Sequence, residues 1–280
     1  MEPKKHHAYK KLDYAKILNM KRIKDFAHTH IITFSFIVTI VFLLIESIDW
    51  DGNPVMGYDA ILLRIMICVF ALLLMKNLSL LKKAEFGRKG FAKGFLLGLP
   101  ILALGIVSAV FSNLNLDLTK LGSPVITTTI IFTLSMFMVG SAEEIVFRGL
   151  LLNNMIEKWG TDKRGVIKAI TLTALIFGGS HIFNAFVFPL GIVIVQTINA
   201  ITMGLLFSVI YLRCRNLSAL IIVHMLVDWF ALFMQNCFTG TTSIITTDMS
   251  LPQALLVVFV GSSVPLVLSV FYLRKYKYQS

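Results

Sequence analysis

Long apolar stretches separated by short polar segments run through the chain after residue 30. Eight of them approach or exceed the length of a membrane-spanning helix, which needs about 20 mostly apolar residues. They are residues 31–48, 60–76, 94–112, 123–152, 166–184, 190–212, 217–236 and 253–273. The stretches are apolar all round or far too long for strands. The pattern therefore predicts an all-α fold, a polytopic membrane bundle of about eight transmembrane helices, rather than a β-barrel.

The composition agrees with this pattern. Of the 280 residues, 56% are hydrophobic, and the mean hydropathy is +0.80, whereas soluble domains are usually about 45–50% apolar. No long linker, repeat or low-complexity segment divides the chain. We therefore predict a single integral membrane domain over residues 31–280, preceded by a basic cytoplasmic segment over residues 1–30.

The N-terminal segment allows two interpretations. Its apolar residues are loosely spaced at Ile17, Met20, Ile23 and Ala27 among many basic residues, which fits an amphipathic helix on an anionic leaflet. A solvated tail fits equally well. No small-residue cleavage site follows a short apolar core, so we do not expect a cleavable signal peptide.

The basic residues behind the net charge of +11 are concentrated in the two tails and in alternate loops. Lys and Arg number eight in the N-terminal segment, six in the second loop, four in the fourth, two in the sixth and three in the C-terminal tail. The odd-numbered loops hold one in total. This alternation is the positive-inside pattern, and it predicts a multi-pass protein of the cell membrane with both termini in the cytoplasm. Topology accounts for the charge, so we expect the lipid bilayer as surroundings and no nucleic acid as partner.

Several ionisable residues fall inside the apolar stretches, where one charge at a helix centre costs about 2.5–3.5 kcal/mol. Arg64 lies near the outer end of the second span, and we expect its long stem to snorkel to water. We expect Glu46, near the outer end of the first span, to reach water as well. The others lie on the fourth, fifth and seventh spans: Glu143, Glu144, Arg148, His181, His224 and Asp228.

Three pairs of residues on these spans are spaced i, i+4, so each pair shares one helix face. The pairs are Glu144 with Arg148, Phe177 with His181, and His224 with Asp228. Gly178 and Gly179 lie within the second pair, where we expect them to let a neighbouring backbone approach closely.

The three spans bring their ionisable residues to similar depths. At 1.5 Å per residue, His224 lies about 12 Å from the cytoplasmic end of its helix, and Glu143 and His181 lie about 20 Å along theirs. We therefore predict an active-site cavity among the fourth, fifth and seventh helices, in the inner half of the bilayer.

The charges of this cluster do not balance. Three carboxylates and one arginine would leave a net charge of about −2 if all were ionised, so we expect coupled titration, with a histidine charged or a carboxylate protonated. A carboxylate beside a histidine is suited to general-base catalysis on water. A cluster that only locks the helices is the simpler alternative, but burying charge rarely gains net stability.

The three motifs resemble a known family. E-E-x-x-x-R at Glu143–Arg148, F-x-x-x-H at Phe177–His181 and H-x-x-x-D at His224–Asp228 occur in the order found in the CPBP family. This family comprises the CAAX proteases and bacteriocin-processing enzymes, is also called Abi, and is related to the Ras-converting CAAX endopeptidase. The similar region runs from about residue 125 to 235. The resemblance implies an intramembrane endopeptidase with eight helices.

The resemblance also implies roles for the motif residues. Glu143, with His181, would bind and activate the attacking water. Glu144 would support the site through its pairing with Arg148. His224 would stabilise the tetrahedral oxyanion, an effect commonly worth about 2.7–4 kcal/mol per donor.

The role of Asp228 differs from that of the asparagine frequent at this position in the family. An amide donates a hydrogen bond, whereas an ionised aspartate does not. We therefore expect Asp228 either to be protonated or, preferably, to orient His224 through a hydrogen bond. The resemblance assigns Phe177 to substrate binding.

Members of the family are often labelled metalloproteases, which raises zinc as a candidate cofactor. Glu143, His181, His224 and Asp228 together resemble a His₂–carboxylate ligand set, but H-E-x-x-H is absent and paired carboxylates suit a metal-free mechanism equally well. We favour the metal-free mechanism and expect no cofactor. The three cysteines are scattered without C-x-x-C spacing, so the sequence predicts neither a disulfide framework nor a thiolate metal site.

The sequence therefore predicts an endopeptidase whose partner is a peptide or membrane-protein substrate. The resemblance points to bacteriocin or peptide processing, or to self-immunity, with prenylated CAAX proteins as substrates in eukaryotic relatives. A non-catalytic immunity or membrane-binding protein is the alternative. A proton-coupled transporter fits less well, since no internal repeat or matched pair of broken helices is found. The motifs G-x-G-D and G-x-S-G of other intramembrane proteases are absent. The sequence predicts no oligomeric state.

Overall fold

The computed structural model describes residues 21–48, 57–112, 126–237 and 251–278, and all regular elements in these ranges are helical. The α-helices are α1 Lys21–Thr29, α2 Ile31–Glu46, α3 Tyr58–Asn77, α4 Leu81–Ala84, α5 Phe91–Ser112, α6 Ile126–Glu144, α7 Asn153–Trp159, α8 Lys163–Ser180, α9 Leu190–Cys214, α10 Leu217–Cys237 and α11 Leu251–Arg274. A π-helical segment, Ile145–Leu152, joins α6 to α7, and a 3₁₀ turn, His181–Phe186, follows α8. The predicted all-α fold is confirmed.

Among the described residues, fewer helical spans pass the length and composition required to cross a bilayer than the eight that the sequence predicts. Five described helical spans are long and apolar enough to cross a bilayer: Tyr58–Asn77, Ile126–Trp159, Lys163–Phe186, Leu190–Cys214 and Ala254–Arg274. The bent pair α1 and α2 makes a sixth if it is counted as one span. The apolar parts of α5 and α10 are shorter. The count of eight is therefore not confirmed, although the helices support a multi-pass membrane protein.

Close helix crossings build the centre of the bundle. Helix α9 packs against α8 and α11, and α10 packs against α5 and α6. At Gly140 of α6, an added Cβ atom would lie 3.1 Å from both the Ile221 carbonyl oxygen and the Met225 amide nitrogen of α10. Glycine suits this position because the two backbones approach closely, and a larger side chain would press on α10.

The polar loops that the charge pattern assigns to one side meet at one end of the bundle. The amide of Leu217, after the sixth loop, donates to the carbonyl of Glu85 in the second loop. Lys83 of the second loop pairs with Glu157, next to the fourth loop, at 3.2 Å. These contacts agree with the predicted side for the three loops, while the orientation of the bundle in the membrane remains a prediction.

Part of the predicted N-terminal pattern lies outside the described residues, including Ile17 and Met20. The same is true of residues 49–56, 113–125 and 238–250, which contain most of the first, third and seventh loops.

Arg64 lies inside the bundle instead of snorkelling to water. Its side chain is 8% exposed, and its Nε and Nη2 atoms donate to the two carboxylate oxygens of Glu46 at 3.2 and 3.3 Å. Its Nη1 atom donates to Ser135 Oγ of α6 at 3.2 Å. The prediction for Arg64 is therefore wrong, because Glu46 lies at the same depth on α2 and compensates the charge there.

Replacing Arg64 by methionine is expected to destabilise the protein, because it leaves Glu46 without this cation. Breaking a buried pair from one side costs about 3–5 kcal/mol, and the lower end applies since Glu46 keeps 26% of its side chain exposed. Thermal unfolding in detergent measures the effect. Arg64→Met combined with Glu46→Leu should unfold at a higher temperature than Arg64→Met alone.

The matched control for this prediction is Lys76→Met at the exposed end of α3, which should unfold like the wild type. An Arg64→Met variant with an unchanged unfolding temperature would show that the pair adds no net stability.

Candidate active site

The end of α6 and the π-helical segment carry the first motif. Glu143 and Glu144 are the last two residues of α6, and Arg148 lies in the π-helical segment, in which N–H groups bond to carbonyls five residues earlier. Arg148 Nη1 donates to Glu144 Oε1 at 2.7 Å, so the pair forms as the spacing predicts. The regular α-helix expected through residue 152 is interrupted by the π-helical segment.

The pair of Glu144 and Arg148 is fully buried, at 0% exposure for both side chains. Arg148 Nη2 donates to the Gly204 carbonyl of α9 at 3.2 Å. The guanidinium carbon lies 4.6 Å from the centre of the Phe177 ring and 5.5 Å from that of Phe207, within the range of cation–π attraction. Arg148 therefore connects the end of α6 to α8 and α9.

His224 of α10 lies among the three carboxylates. Its Nδ1 atom is 2.7 Å from Glu144 Oε1, a geometry in which the ring nitrogen donates its hydrogen to the carboxylate. Its Nε2 atom is 3.4 Å from Glu143 Oε2 and 3.5 Å from Asp228 Oδ2. Glu144 therefore holds the ring from its Nδ1 side, and its Nε2 side faces the other two carboxylates.

Exposure separates the three carboxylates into two kinds. Glu143 and Asp228 keep 18% and 26% of their side chains exposed, whereas Glu144 is fully buried. The Nε2 side of His224 is therefore the side that water or a substrate reaches.

His181 is held next to this group by the last turn of α8. It caps α8 and begins the 3₁₀ turn, and its Nδ1 atom lies 3.0 Å from the Phe177 carbonyl oxygen. The buried Phe177 ring makes edge contacts with both histidine rings, at centroid distances of 5.2 Å to His181 and 6.2 Å to His224. Phe177 thus packs between the motifs, and its role in substrate binding stays a prediction.

All six ionisable residues singled out in the sequence meet in one region, but a fourth helix also contributes. Helix α9 supplies the Gly204 carbonyl for Arg148, and its buried Phe207 lies 4.8 Å from the His224 ring, between centroids. Phe207 carries no sequence signal, because phenylalanine is common in apolar spans. The prediction of a site among three helices was incomplete for this reason.

The geometry around Asp228 differs from the preferred expectation. Its 3.5 Å separation from His224 Nε2 is long for a hydrogen bond. The 2.7 Å contact from Glu144 fixes the ring instead. The orienting role expected for Asp228 is therefore performed by Glu144 in this structure.

The zinc site raised by the family resemblance stays an untested alternative. No three His, Cys, Asp or Glu side chains among the described residues are placed to hold one metal ion. We therefore derive no chemical step through a metal.

A comparison with protein families identifies the segment that carries the site. The model of the Rce1-like family, type II CAAX prenyl endopeptidases, matches residues 124–230, a range that contains all three motifs. No curated protein and no solved structure matches the chain. The match agrees with the resemblance over this segment: residues 124–230 are similar to the type II CAAX prenyl endopeptidases, a family of membrane endopeptidases.

Two adjacent glycines before His181 differ in their surroundings. A Cβ atom on Gly178 would lie 2.7 Å from the Ile201 amide nitrogen and 2.9 Å from the Ile201 Cα atom of α9. A Cβ atom on Gly179 would meet no described atom within 4 Å. The predicted close approach is confirmed for Gly178 and wrong for Gly179.

Gly178→Ala is expected to lower thermal stability, because the methyl group forces α8 away from α9. Overpacking typically costs about 1–3 kcal/mol. Gly179→Ala is the matched control and should be neutral or stabilising, since alanine is better than glycine in a helix by up to about 1 kcal/mol. Unfolding of both variants in detergent tests this, and equal unfolding temperatures would contradict it.

Proposed function

We propose that the chain is an intramembrane endopeptidase that hydrolyses a peptide bond with water activated by Glu143 and His181. The observation that carries the proposal is the arrangement around His224, whose Nδ1 atom contacts a buried carboxylate while its Nε2 atom faces two accessible ones. An ion-pair cluster that only locked helices would have no need to keep Glu143 and Asp228 accessible. The family match supports the same class of reaction.

In the first step, Glu143 acts as general base. It takes a proton from water as the water oxygen attacks the carbonyl carbon of the scissile bond. His181 helps to position that water: its Nδ1–H donates to the Phe177 carbonyl, which leaves the Nε2 lone pair to accept a hydrogen bond. Glu143 then gives the proton to the leaving amine nitrogen as the C–N bond breaks.

In the same step, His224 stabilises the negative charge that develops on the carbonyl oxygen. With both ring nitrogens protonated, Nδ1–H donates to Glu144 and Nε2–H donates to the oxyanion. Losing one such donor commonly costs about 10²–10³ in rate. Asp228, as a neutral acid beside Nε2, would supply a second donor where many family members have an asparagine amide.

For the substrate, we propose a peptide or membrane-associated protein that enters from the bilayer or the adjoining aqueous end of the bundle. The physiological role we propose is the processing of a peptide such as a bacteriocin, or self-immunity against one. The mechanism that we propose uses no metal ion.

Glu143→Gln is expected to abolish processing, because the amide cannot accept the proton of water; general-base catalysis contributes about 10²–10⁴ in rate. Wild type and variant are expressed at equal levels in the native host, and membrane-associated peptides are compared by mass spectrometry. Fragments should appear with the wild type, and their precursors should accumulate with Glu143→Gln. Ser141→Ala, two residues earlier on the same helix, is the matched control and should process like the wild type.

The opposite outcome would be matching peptide profiles while Glu143→Gln remains abundant and unfolds at the wild-type temperature. Proteolysis by this site would then lose its support, and non-catalytic immunity or binding would be the better description. A pH-driven flux in proteoliposomes would favour a transporter instead.

Asp228→Asn separates the proposed donor role from a role as an ionised carboxylate. The amide supplies an N–H donor without needing a proton, so we expect the variant to keep processing within about tenfold of wild type, whereas Asp228→Leu, which removes one oxyanion donor, should lose about 10²–10³. The rates of substrate cleavage by the purified variants measure this. An inactive, folded Asp228→Asn would show that the carboxylate itself is required.

A further inference from the structure

Helix α1 runs in a different direction from α2. It is bent by 108° from α2 at the break between Thr29 and Ile31. Its nine residues include four charged ones, Lys21, Arg22, Lys24 and Asp25. A segment with that many charges does not continue a membrane span. The bend therefore turns α1 away from the direction of the span that follows it.

One contact fixes α1 to the bundle. Ala27 is fully buried, and its carbonyl oxygen accepts a hydrogen bond from Nδ2 of the buried Asn154 of α7 at 3.2 Å. This contact lies at the end of the bundle where the polar loops meet, because Asn154 is three residues before Glu157, the partner of Lys83. A solvated tail, the second interpretation of the sequence, would not be held in this way.

The exposed residues of α1 divide into two faces. At 100° per residue, Ile23 and Phe26 fall on the same side as Ala27, and Lys21, Lys24 and Asp25 fall on the other side. Ile23 and Phe26 are 38% and 40% exposed, so the apolar face is only partly covered by the described protein.

We propose that α1 is an interfacial helix that binds anionic phospholipid headgroups. Ile23 and Phe26 enter the boundary between headgroups and acyl chains, and the basic residues Lys21, Arg22 and Lys24 contact the headgroup phosphates. The helix carries three cations and one anion, a net charge of +2, which complements an acidic bilayer surface. The proposal does not depend on the proposed proteolytic activity.

The position of a fluorophore on α1 tests this inference in the full-length protein. Phe26→Cys is labelled with NBD in a chain whose native cysteines are replaced by alanine, and the protein is reconstituted in vesicles of phosphatidylcholine with or without phosphatidylglycerol. NBD emission shifts to shorter wavelength when the label leaves water. We expect that shift with phosphatidylglycerol, and we expect high salt to reduce it, because salt screens exposed charges.

Matched variants isolate the two faces and the charges. A label at Ile23→Cys should behave like the one at Phe26→Cys, which guards against a local folding defect, and a label at the exposed Thr29 should report water in both vesicles. Replacing Lys21, Arg22 and Lys24 by glutamine should remove the effect of phosphatidylglycerol. The same change at Lys163 and Arg164, exposed residues at the start of α8, should not.

Two results would overturn the inference. Emission typical of water in both vesicle types would mean that α1 is solvated. An equal shift in both types, independent of salt and of the three basic residues, would mean that α1 inserts without recognising anionic headgroups.

Discussion

The site depends on the buried contact between Glu144 and Arg148. Taking such ions out of water costs several kcal/mol each, and a pair repays that cost only when further hydrogen bonds satisfy both groups. Here that compensation is partial: His224 shares the same glutamate oxygen, and Arg148 reaches the Gly204 carbonyl and the face of Phe177. The buried Glu144 Oε2 and Arg148 Nε atoms have no hydrogen-bond partner among the described residues. The Glu144–Arg148 pair thereby connects the end of α6 to α8, α9 and α10. Moving any of these helices away would break a contact of this buried pair.

This arrangement gives chemically identical groups different tasks. The carboxylate of Glu144 is enclosed and engaged by two donors, so it is suited to holding His224 and poorly placed to meet water. The carboxylate of Glu143, one residue earlier, is rotated by about 100° on the helix and remains partly exposed. Adjacent positions on one helix therefore supply one buried carboxylate that holds His224 and one accessible carboxylate, to which we assign the role of base in the proposed function.

The sequence predicted the local contacts and the convergence of the three motifs, but it missed which side chains pair between helices. The pairing of Glu144 with Arg148 follows from their i, i+4 spacing. The pair forms even though Arg148 lies in the π-helical segment. The partner of Arg64 and the carboxylate that holds His224 depend on helix rotation and depth, which apolar periodicity leaves undetermined. His224 and Glu144 are 80 residues apart in the chain. The π-helical segment was also missed, because its eight residues are too few for the spacing of apolar side chains to distinguish it from an α-helix.

Two close helix crossings lie beside the motifs, and this has a steric reason. Gly140 lies one turn before Glu144, and the α10 backbone that it touches, at Ile221 and Met225, flanks His224. Gly178 lies between Phe177 and His181, against α9. Glutamate and histidine side chains have a limited reach, so the 2.7 Å contact between α6 and α10 requires these two helices to be neighbours. Gly140 and Gly178 therefore support the site: these small residues allow the helix separations at which the polar side chains of the motifs meet.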